Sequence, residues 1–338
     1  MLDEDMSQLA DQQTWRTLTT QPEKFRIFTH DSAFRESWRT ARQLLGPDAA
    51  WYFQRLAVLT VKPDGLLAGR LAECVRFLAG HGLVPVQAMR FRYQRPMTRE
   101  LWRYQWNIAT LDRLALSDLL HQRRDSLTLV LADRTAGPIP ASSRLATLKG
   151  SAFPAAREDW HLRTVLGAPN RLMVLVHCPD EPIDIVRELG IAFDPPRLTR
   201  IYQQWPDILA DGVENAVPVE VSEPVTETYT LNAGEAAAIV RRRLAAATGE
   251  KTAAERANLR LTAAESGVAP LDWQEWQREL RLAGVDTASW PVLLVASQHI
   301  QHDIPGGTCV VSGTGRRMWM NGEGRMLPQP GSVLAGVR

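Results

Sequence analysis

The 338-residue chain is long enough for two domains, and its 45% hydrophobic and 23% charged residues are typical of a globular protein that folds in water. Its 39 basic and 38 acidic residues give a net charge of +1, which excludes a strong overall field for nucleic acid or a membrane surface. No apolar run approaches the ~20 residues of a membrane span, and the first five residues do not resemble a signal peptide, so we expect a cytoplasmic protein. The three cysteines lack Cys-x-x-Cys spacing and favour neither disulfides nor a zinc cage.

Residues 1–54 predict a helical extension in front of the main domain. The chain is polar and irregular up to about residue 30. Asp31 or Ser32 can then cap a helix that ends near Leu45, because Gly46 follows it. We interpret this region as an adaptor that docks on the domain behind it.

Residues 55–205 predict one α+β domain in which strands and helices alternate. Short apolar runs indicate buried strands, and apolar residues at every third or fourth position indicate helices. The expected strands are 56–61, 83–92, 126–132 and 172–176, and the expected helices are 66–79, about 98–107, 111–124, 157–166 and 183–189.

A histidine follows the last of these strands. Pro179 and Pro182 end the strand just after His177, so we expect the imidazole at an edge of the sheet. Glu188 lies 11 residues further along, where a turn and two helical turns can return its carboxylate to the ring. A histidine held by a carboxylate is a candidate nucleophile or proton-transfer group. An ordinary histidine at a strand end, near an unrelated glutamate, would give the same pattern.

Four ordered matches make residues 56–193 similar to the nucleoside diphosphate kinases. Lys62-Pro63-Asp64-Gly65 resembles the Lys-Pro-Asp-Gly of that family, and 150–156 resembles its Gly-Glu-Thr-Asn-Pro-Ala loop. His177 stands at the position of the histidine that becomes phosphorylated, and Glu188 at the spacing of the carboxylate that orients it. The resemblance implies a ferredoxin-like antiparallel sheet with covering helices, assembled into dimers or larger homo-oligomers.

The same resemblance implies a phosphohistidine relay. His177 would take the γ-phosphoryl group of ATP or another nucleoside triphosphate and pass it to a nucleotide or another small acceptor. Glu188 would accept a hydrogen bond from the second ring nitrogen and thereby fix the tautomer. Mg²⁺ would arrive with the nucleotide phosphates and need few protein ligands, and we assign no metal ligands to the chain.

Cations must surround the phosphoryl group, because charge spreads over its oxygens during transfer. We expect Lys62, Arg144 and Arg163 in this role. Ser151 can offer a hydroxyl to a phosphate, although a serine in such a loop is usually only a loop residue. Lys62 can also be a surface lysine after a strand, but the turn that follows it favours a position in a pocket. The loop around Arg144 does not have the family's length.

Several positions depart from the family pattern. The family has asparagine three residues before its histidine, where this chain has Val174, and Asn170 reaches the site only if the chain rearranges locally. The family's Gly-Ser-Asp after the histidine is replaced by Cys178-Pro179-Asp180, which removes a hydroxyl. Tyr104 and Trp106 lie where the residues that hold the base are expected, but a core role fits them equally well. These changes affect base and ribose recognition more than phosphoryl transfer.

Residues 206–230 predict a linker, and 231–338 predict a mainly helical C-terminal domain that ends in β-hairpins. Asn232 and Asp272 can cap two of three expected helices. The glycine-rich tail from Gly306 suggests the hairpins. His299 and His302 have a spacing that a metal site can use, but no third ligand accompanies them.

Two functions remain in view at this point. The preferred hypothesis is a phosphotransferase of the nucleoside diphosphate kinase type. The alternative is a catalytically degenerate nucleotide-binding protein with a regulatory or scaffold role, in which Val174 and Pro179 mark the loss of the site.

Overall fold

A four-stranded antiparallel sheet lies at the centre of the molecule, whose structure, a computed structural model, describes residues 15–223 and 228–330. The strand order is β2-β3-β1-β4. This order is that of a ferredoxin-like sheet, so the predicted fold class is confirmed. The strands are β1 (Leu56–Val61), β2 (Leu83–Phe91), β3 (Ser126–Asp133) and β4 (Val176–His177).

The two central strands are buried on both faces, which explains their almost continuous apolar sequence. Val58 pairs with Val130, and both side chains belong to the core on one face of the sheet. The next pair, Leu59 and Leu129, belongs to the core on the other face. Successive residues of each strand therefore supply two separate cores.

Three N-terminal helices cover the first of these faces, as the prediction of a helical extension requires. The expected cap is formed, since the backbone N–H of Phe34 donates to Asp31 Oδ1 at 3.1 Å. The side chains of Trp38 and Phe53 are buried in the core and pack the helices against it. The helices are α1 (Pro22–Phe28), α2 (Ser32–Leu45) and α3 (Ala49–Arg55).

Nine further helices surround the sheet up to residue 208 among the described residues. The single helix expected over 66–79 is divided, because Gly69 takes a positive φ of 68° between two shorter helices. The helices are α4 (Pro63–Leu67), α5 (Leu71–Gly80), α6 (Arg95–Leu101), α7 (Leu111–His121), α8 (Ala141–Lys149), α9 (Leu162–Val165), α10 (Pro182–Ala192), α11 (Pro195–Gln203) and α12 (Trp205–Ile208).

The strand expected over 172–176 is wrong in length, because only Val176 and His177 pair with β1. Leu172 and Met173 turn away from the sheet and pack among the C-terminal helices. Their backbone N–H groups donate to the side-chain oxygen of Asn170, each at 2.9 Å. A side chain therefore replaces the strand partner that the local apolar pattern predicted.

The C-terminal region contributes four helices around a third core, which also includes Leu172 and Met173. Asn232 and Asp272 cap two of them as expected. The β-hairpins predicted after Gly306 are not formed within the described residues up to 330, which contain one short helix and irregular chain. The four helices around this core are α13 (Ala233–Ala245), α14 (Lys251–Glu265), α15 (Trp273–Leu282) and α16 (Trp290–His299), and the short helix of the tail is α17 (Gly315–Met320).

One glycine of this tail permits a close approach. A Cβ atom at Gly315 would lie 2.3 Å from the buried carboxylate of Glu181, so α17 can reach that position only with glycine. Across the ranges that the structure describes, none of the helices has the length and apolarity to cross a membrane. In the same ranges, no cluster of three or more His, Cys, Asp or Glu residues is arranged to hold a metal ion.

Candidate functional site

The structure brings His177 and Glu188 together, as the sequence spacing predicts. Pairing of His177 with Thr60 places the ring at the end of β4, and α10 returns Glu188 beside it. His177 Nε2 lies 2.8 Å from Glu188 Oε2, and the two side chains are 16% and 19% exposed. Because a carboxylate accepts, Nε2 donates, and the lone pair of a neutral imidazole is then on Nδ1. Nδ1 has no hydrogen-bond partner among the described residues.

This pair lines a cavity of about 140 Å³. Its walls come from α1, from the loop after α6, from α8, from α10 and from Ser312 and Gly313. These two residues end the segment 301–313, which we name the strap. The ring of Trp102 meets that of His177 edge-on, with 5.4 Å between the centroids. Ligand pockets in proteins usually measure about 300–1,000 Å³, so this cavity has room for a phosphoryl group but not for a whole nucleotide.

Three cations and three carboxylates line the cavity, so its charges balance. Lys149 Nζ donates to Asp180 at 3.1 Å and to the Cys178 carbonyl at 3.0 Å. Burial would raise the pKa of Asp180, but the charges of Lys149 and Lys24 outweigh burial and lower it to about 2. The cations are Lys24, Lys149 and Arg187, and the carboxylates are Asp180, Asp184 and Glu188.

Asp184 has a different environment from Asp180. Burial raises its pKa, and the negative charges of Glu181 and Glu188 add to this effect, while Lys24 opposes it. Asp184 therefore takes up a proton more readily than Asp180.

Lys62 does not line the cavity. Its ammonium group is buried, donates to the Leu172 carbonyl at 3.1 Å and lies 3.7 Å from a carboxylate oxygen of Asp64. Burial lowers the pKa of Lys62, and the positive charges of Arg163 and Arg113 add to this effect. The lysine thus holds the 172–175 segment against the start of α4.

The two arginines expected at the site are bound elsewhere. Arg163 donates to the carbonyl oxygens of Gly150 and Val176, each at 3.0 Å, and burial lowers its pKa to about 10. Arg144 donates to Asp133 at 3.0 Å and to the His81 carbonyl at 2.6 Å. Neither arginine lines the His177 cavity.

Of the remaining expected site residues, only Tyr104 lines the cavity. Its ring lies 5.0 Å from the guanidinium carbon of Arg187. Trp106 stacks on Trp102 at 4.4 Å. Ser151 Oγ accepts the backbone N–H of Phe153, and Asn170 Nδ2 donates to Ser297 Oγ at 2.9 Å.

Several lining residues escape sequence reasoning. Lys24 reaches the cavity from the N-terminal extension, and the strap contributes Ser312 and Gly313. Nothing in their local sequence signals this position. Lys149 stands directly before the glycine-rich loop, and this position in the sequence could have indicated that it lies near the site.

Comparison with protein-family models finds no match, and no curated protein matches the chain. Solved nucleoside diphosphate kinases are similar over part of it. The enzyme from Encephalitozoon cuniculi is 14% identical, with coverage of 40% of this chain and 87% of the other, and a TM-score of 0.35. The Aquifex aeolicus enzyme gives 17% identity, coverage of 41% and 95%, and a TM-score of 0.35. The Halobacterium salinarum enzyme, in complex with CDP, is 18% identical, with coverage of 42% of this chain and 88% of the other, and a TM-score of 0.34.

Proposed function

We propose that the protein is a phosphotransferase in which His177 carries a phosphoryl group from a nucleoside triphosphate to a nucleotide or another small acceptor. The observation that supports the proposal is the 2.8 Å bond from Nε2 to Glu188, which leaves Nδ1 without a partner beside the cavity. An imidazole held in one tautomer by a carboxylate is an activated nucleophile.

The reaction has two half-reactions. Nδ1 attacks the γ-phosphorus of ATP, a P–N bond forms, and the bond to the bridging oxygen breaks, so that ADP leaves with that electron pair. An acceptor oxygen then attacks the phosphorus and the P–N bond breaks. Glu188 is the positioning residue in both steps, because it holds the ring and stabilises the positive charge that the ring acquires.

Lys24, Lys149 and Arg187 take over the role that the sequence assigned to Lys62, Arg144 and Arg163. The three lining cations already have carboxylate partners, so an incoming phosphoryl group must compete with these acids. Asp184, whose pKa is raised by burial, can take up a proton and reduce that competition. Mg²⁺ enters with the nucleotide.

A second function is favoured by a specific observation. The donors of Lys62 and Arg163 are bound to backbone carbonyls, and the cavity of about 140 Å³ is too small for a nucleotide. This geometry is the one expected of a closed, degenerate site in a protein with a regulatory or scaffold role.

Labelling distinguishes the two functions. The full-length protein is incubated with γ-labelled ATP and Mg²⁺, and acid-labile, base-stable label is measured. We expect label in the wild type and in His30→Ala, which removes an exposed histidine, and none in His177→Ala. Thermal unfolding of each variant shows that the loss of label is not a loss of fold. An unlabelled wild type, or label that persists in His177→Ala, refutes the relay, and nucleotide binding without label supports the second function.

A further inference from the structure

Two arginines converge on one carboxylate outside the His177 cavity. Arg113 projects from α7, and Arg171 precedes the 172–175 segment. Each donates an Nη1–H to Asp303 of the strap, Arg113 to Oδ1 and Arg171 to Oδ2. The Arg113 side chain is 9% exposed, and those of Arg171 and Asp303 are each 18% exposed. This is an ion pair between distant parts of the chain, close to the surface.

An aromatic ring supports each guanidinium group. The guanidinium carbon of Arg171 lies 3.6 Å from the ring centroid of Phe153, and that of Arg113 lies 5.6 Å from the centroid of Trp106. Such stacking fixes the planes of the guanidinium groups before any ligand binds. The pair is therefore preorganised for an anion with several oxygens.

Asp303 does not satisfy all the polar atoms around it. Arg113 Nε, Arg171 Nε and His302 Nδ1 are buried and have no hydrogen-bond partner among the described residues. Burial and the positive charges of the two arginines lower the pKa of His302 to about 4, which indicates an electropositive environment. A carboxylate offers two oxygens, whereas a phosphate group offers at least three acceptors to the N–H groups of the two arginines.

Backbone hydrogen bonds attach the strap to residues 104–110, beside side-chain hydrogen bonds from Asn107 and Thr110. Thr110 N–H donates to the His302 carbonyl at 3.1 Å, Ile304 N–H to Ile108 at 2.7 Å, and Val310 N–H to Tyr104 at 2.9 Å. Residues 304–310 are all exposed. A segment with few buried apolar contacts opens more easily than the core, so Asp303 can leave the arginines without unfolding of the domain.

We propose that Arg113 and Arg171 form a binding site for a phosphate-bearing anion, and that Asp303 occupies this site as a competitor built into the chain. The site does not require His177 to be phosphorylated, so it goes beyond the proposed function.

The test is calorimetric titration of the full-length protein with inorganic pyrophosphate. Asp303→Asn keeps the shape of the side chain and removes the charge, and Glu323→Gln removes an exposed negative charge from the same region. We expect Asp303→Asn to bind pyrophosphate at least about tenfold more tightly than the wild type, because a charge-assisted competitor is lost. Glu323→Gln should bind like the wild type. Equal affinity of Asp303→Asn and wild type overturns the proposal.

Two further measurements make the test specific. Arg171→Gln combined with Asp303→Asn should lose the gain, while His177→Ala combined with Asp303→Asn should keep it, so the result does not depend on the relay. The opposite outcome in either double variant assigns the anion to another site and overturns the proposal. In the wild type, saturating pyrophosphate should speed hydrogen exchange at the amides of Thr110, Ile304 and Val310, which requires no variant, and unchanged exchange refutes displacement of the strap.

Discussion

The buried carboxylate of Glu181 joins three parts of the chain and permits a quantitative test. The side chain of Glu181 is fully buried, and the residue directly precedes α10, the helix that carries Glu188. Lys24 Nζ of the N-terminal region donates to it at 2.7 Å, and Trp319 Nε1 of α17 donates at 3.0 Å. The other donors are Thr19 Oγ1, Thr20 N, Thr20 Oγ1 and Gln21 Nε2.

Glu181→Gln replaces one acceptor oxygen by an NH₂ group that faces N–H and O–H donors. Among the residues that the structure describes, Lys24 keeps only Asp184 as an ion-pair partner, at 2.9 Å. Breaking a buried ion pair costs about 3–5 kcal/mol, a large part of the ~5–15 kcal/mol that stabilises a typical domain. We therefore expect the free energy of unfolding to fall by about 3–5 kcal/mol.

Urea denaturation at pH 7, followed by tryptophan fluorescence and far-ultraviolet circular dichroism, measures this loss. Glu36→Gln is the matched control, because Glu36 is exposed on α2, and its effect should stay within about 0.5 kcal/mol. A loss below about 1 kcal/mol in Glu181→Gln would refute the reasoning, since the carboxylate would then not hold the three parts together.

Three further predictions follow from local geometry. Gly65→Ala places a Cβ 2.6 Å from the Leu175 carbonyl oxygen and should cost about 1–3 kcal/mol in thermal unfolding, whereas Gly80→Ala, with open space, should be neutral or stabilising. The pKa of His302 is lowered from 6.5 to about 4, so the unfolded chain takes up this proton at a higher pH than the folded chain. The free energy of unfolding should therefore fall by at most about 3 kcal/mol as the pH drops from 6.5 to 4. Urea titrations at pH 7 and pH 5 should show that His302→Gln removes this part of the pH dependence. Asn170→Ala leaves two backbone N–H groups without their acceptor and should lower the free energy of unfolding, measured by urea denaturation, by about 2 kcal/mol, more than Asn170→Asp, which keeps that acceptor.

The sequence predicts best what depends on neighbours along the chain. Strand β1 has the expected bounds, because an uninterrupted apolar run of six residues has few alternatives. Glu188 reaches His177 because only 11 residues separate them. The fate of 172–176 depended instead on distant helices that accept Leu172 and Met173, and no local pattern reports such a partner.

The contents of the site were less predictable for the same reason. Lys24 contacts Asp184 across 160 residues, and Asp303 contacts Arg113 across 190. Lys62 does not line the cavity, and its ammonium group is bound to the Leu172 carbonyl, which a nucleotide phosphate would have to displace. Local sequence therefore predicts which residue types stand near the site, but not the contacts that their polar groups make with distant parts of the chain.

One segment of chain contributes residues to both proposed sites. Asp303, which occupies the arginine pair, and Gly313, which lines the His177 cavity, belong to the same strap. Between them, Val310 N–H is bonded to the carbonyl of Tyr104, itself a cavity residue. In our proposal, an anion that displaces Asp303 therefore weakens the attachment of a segment that lines the His177 cavity. If the two sites are coupled in this way, each ligand must improve the binding of the other by the same factor, and couplings of this kind are typically about 1–3 kcal/mol. Under the two proposals, release of Asp303 would also loosen the part of the cavity wall that Gly313 supplies, and the volume beside His177 would then depend on what the arginines hold.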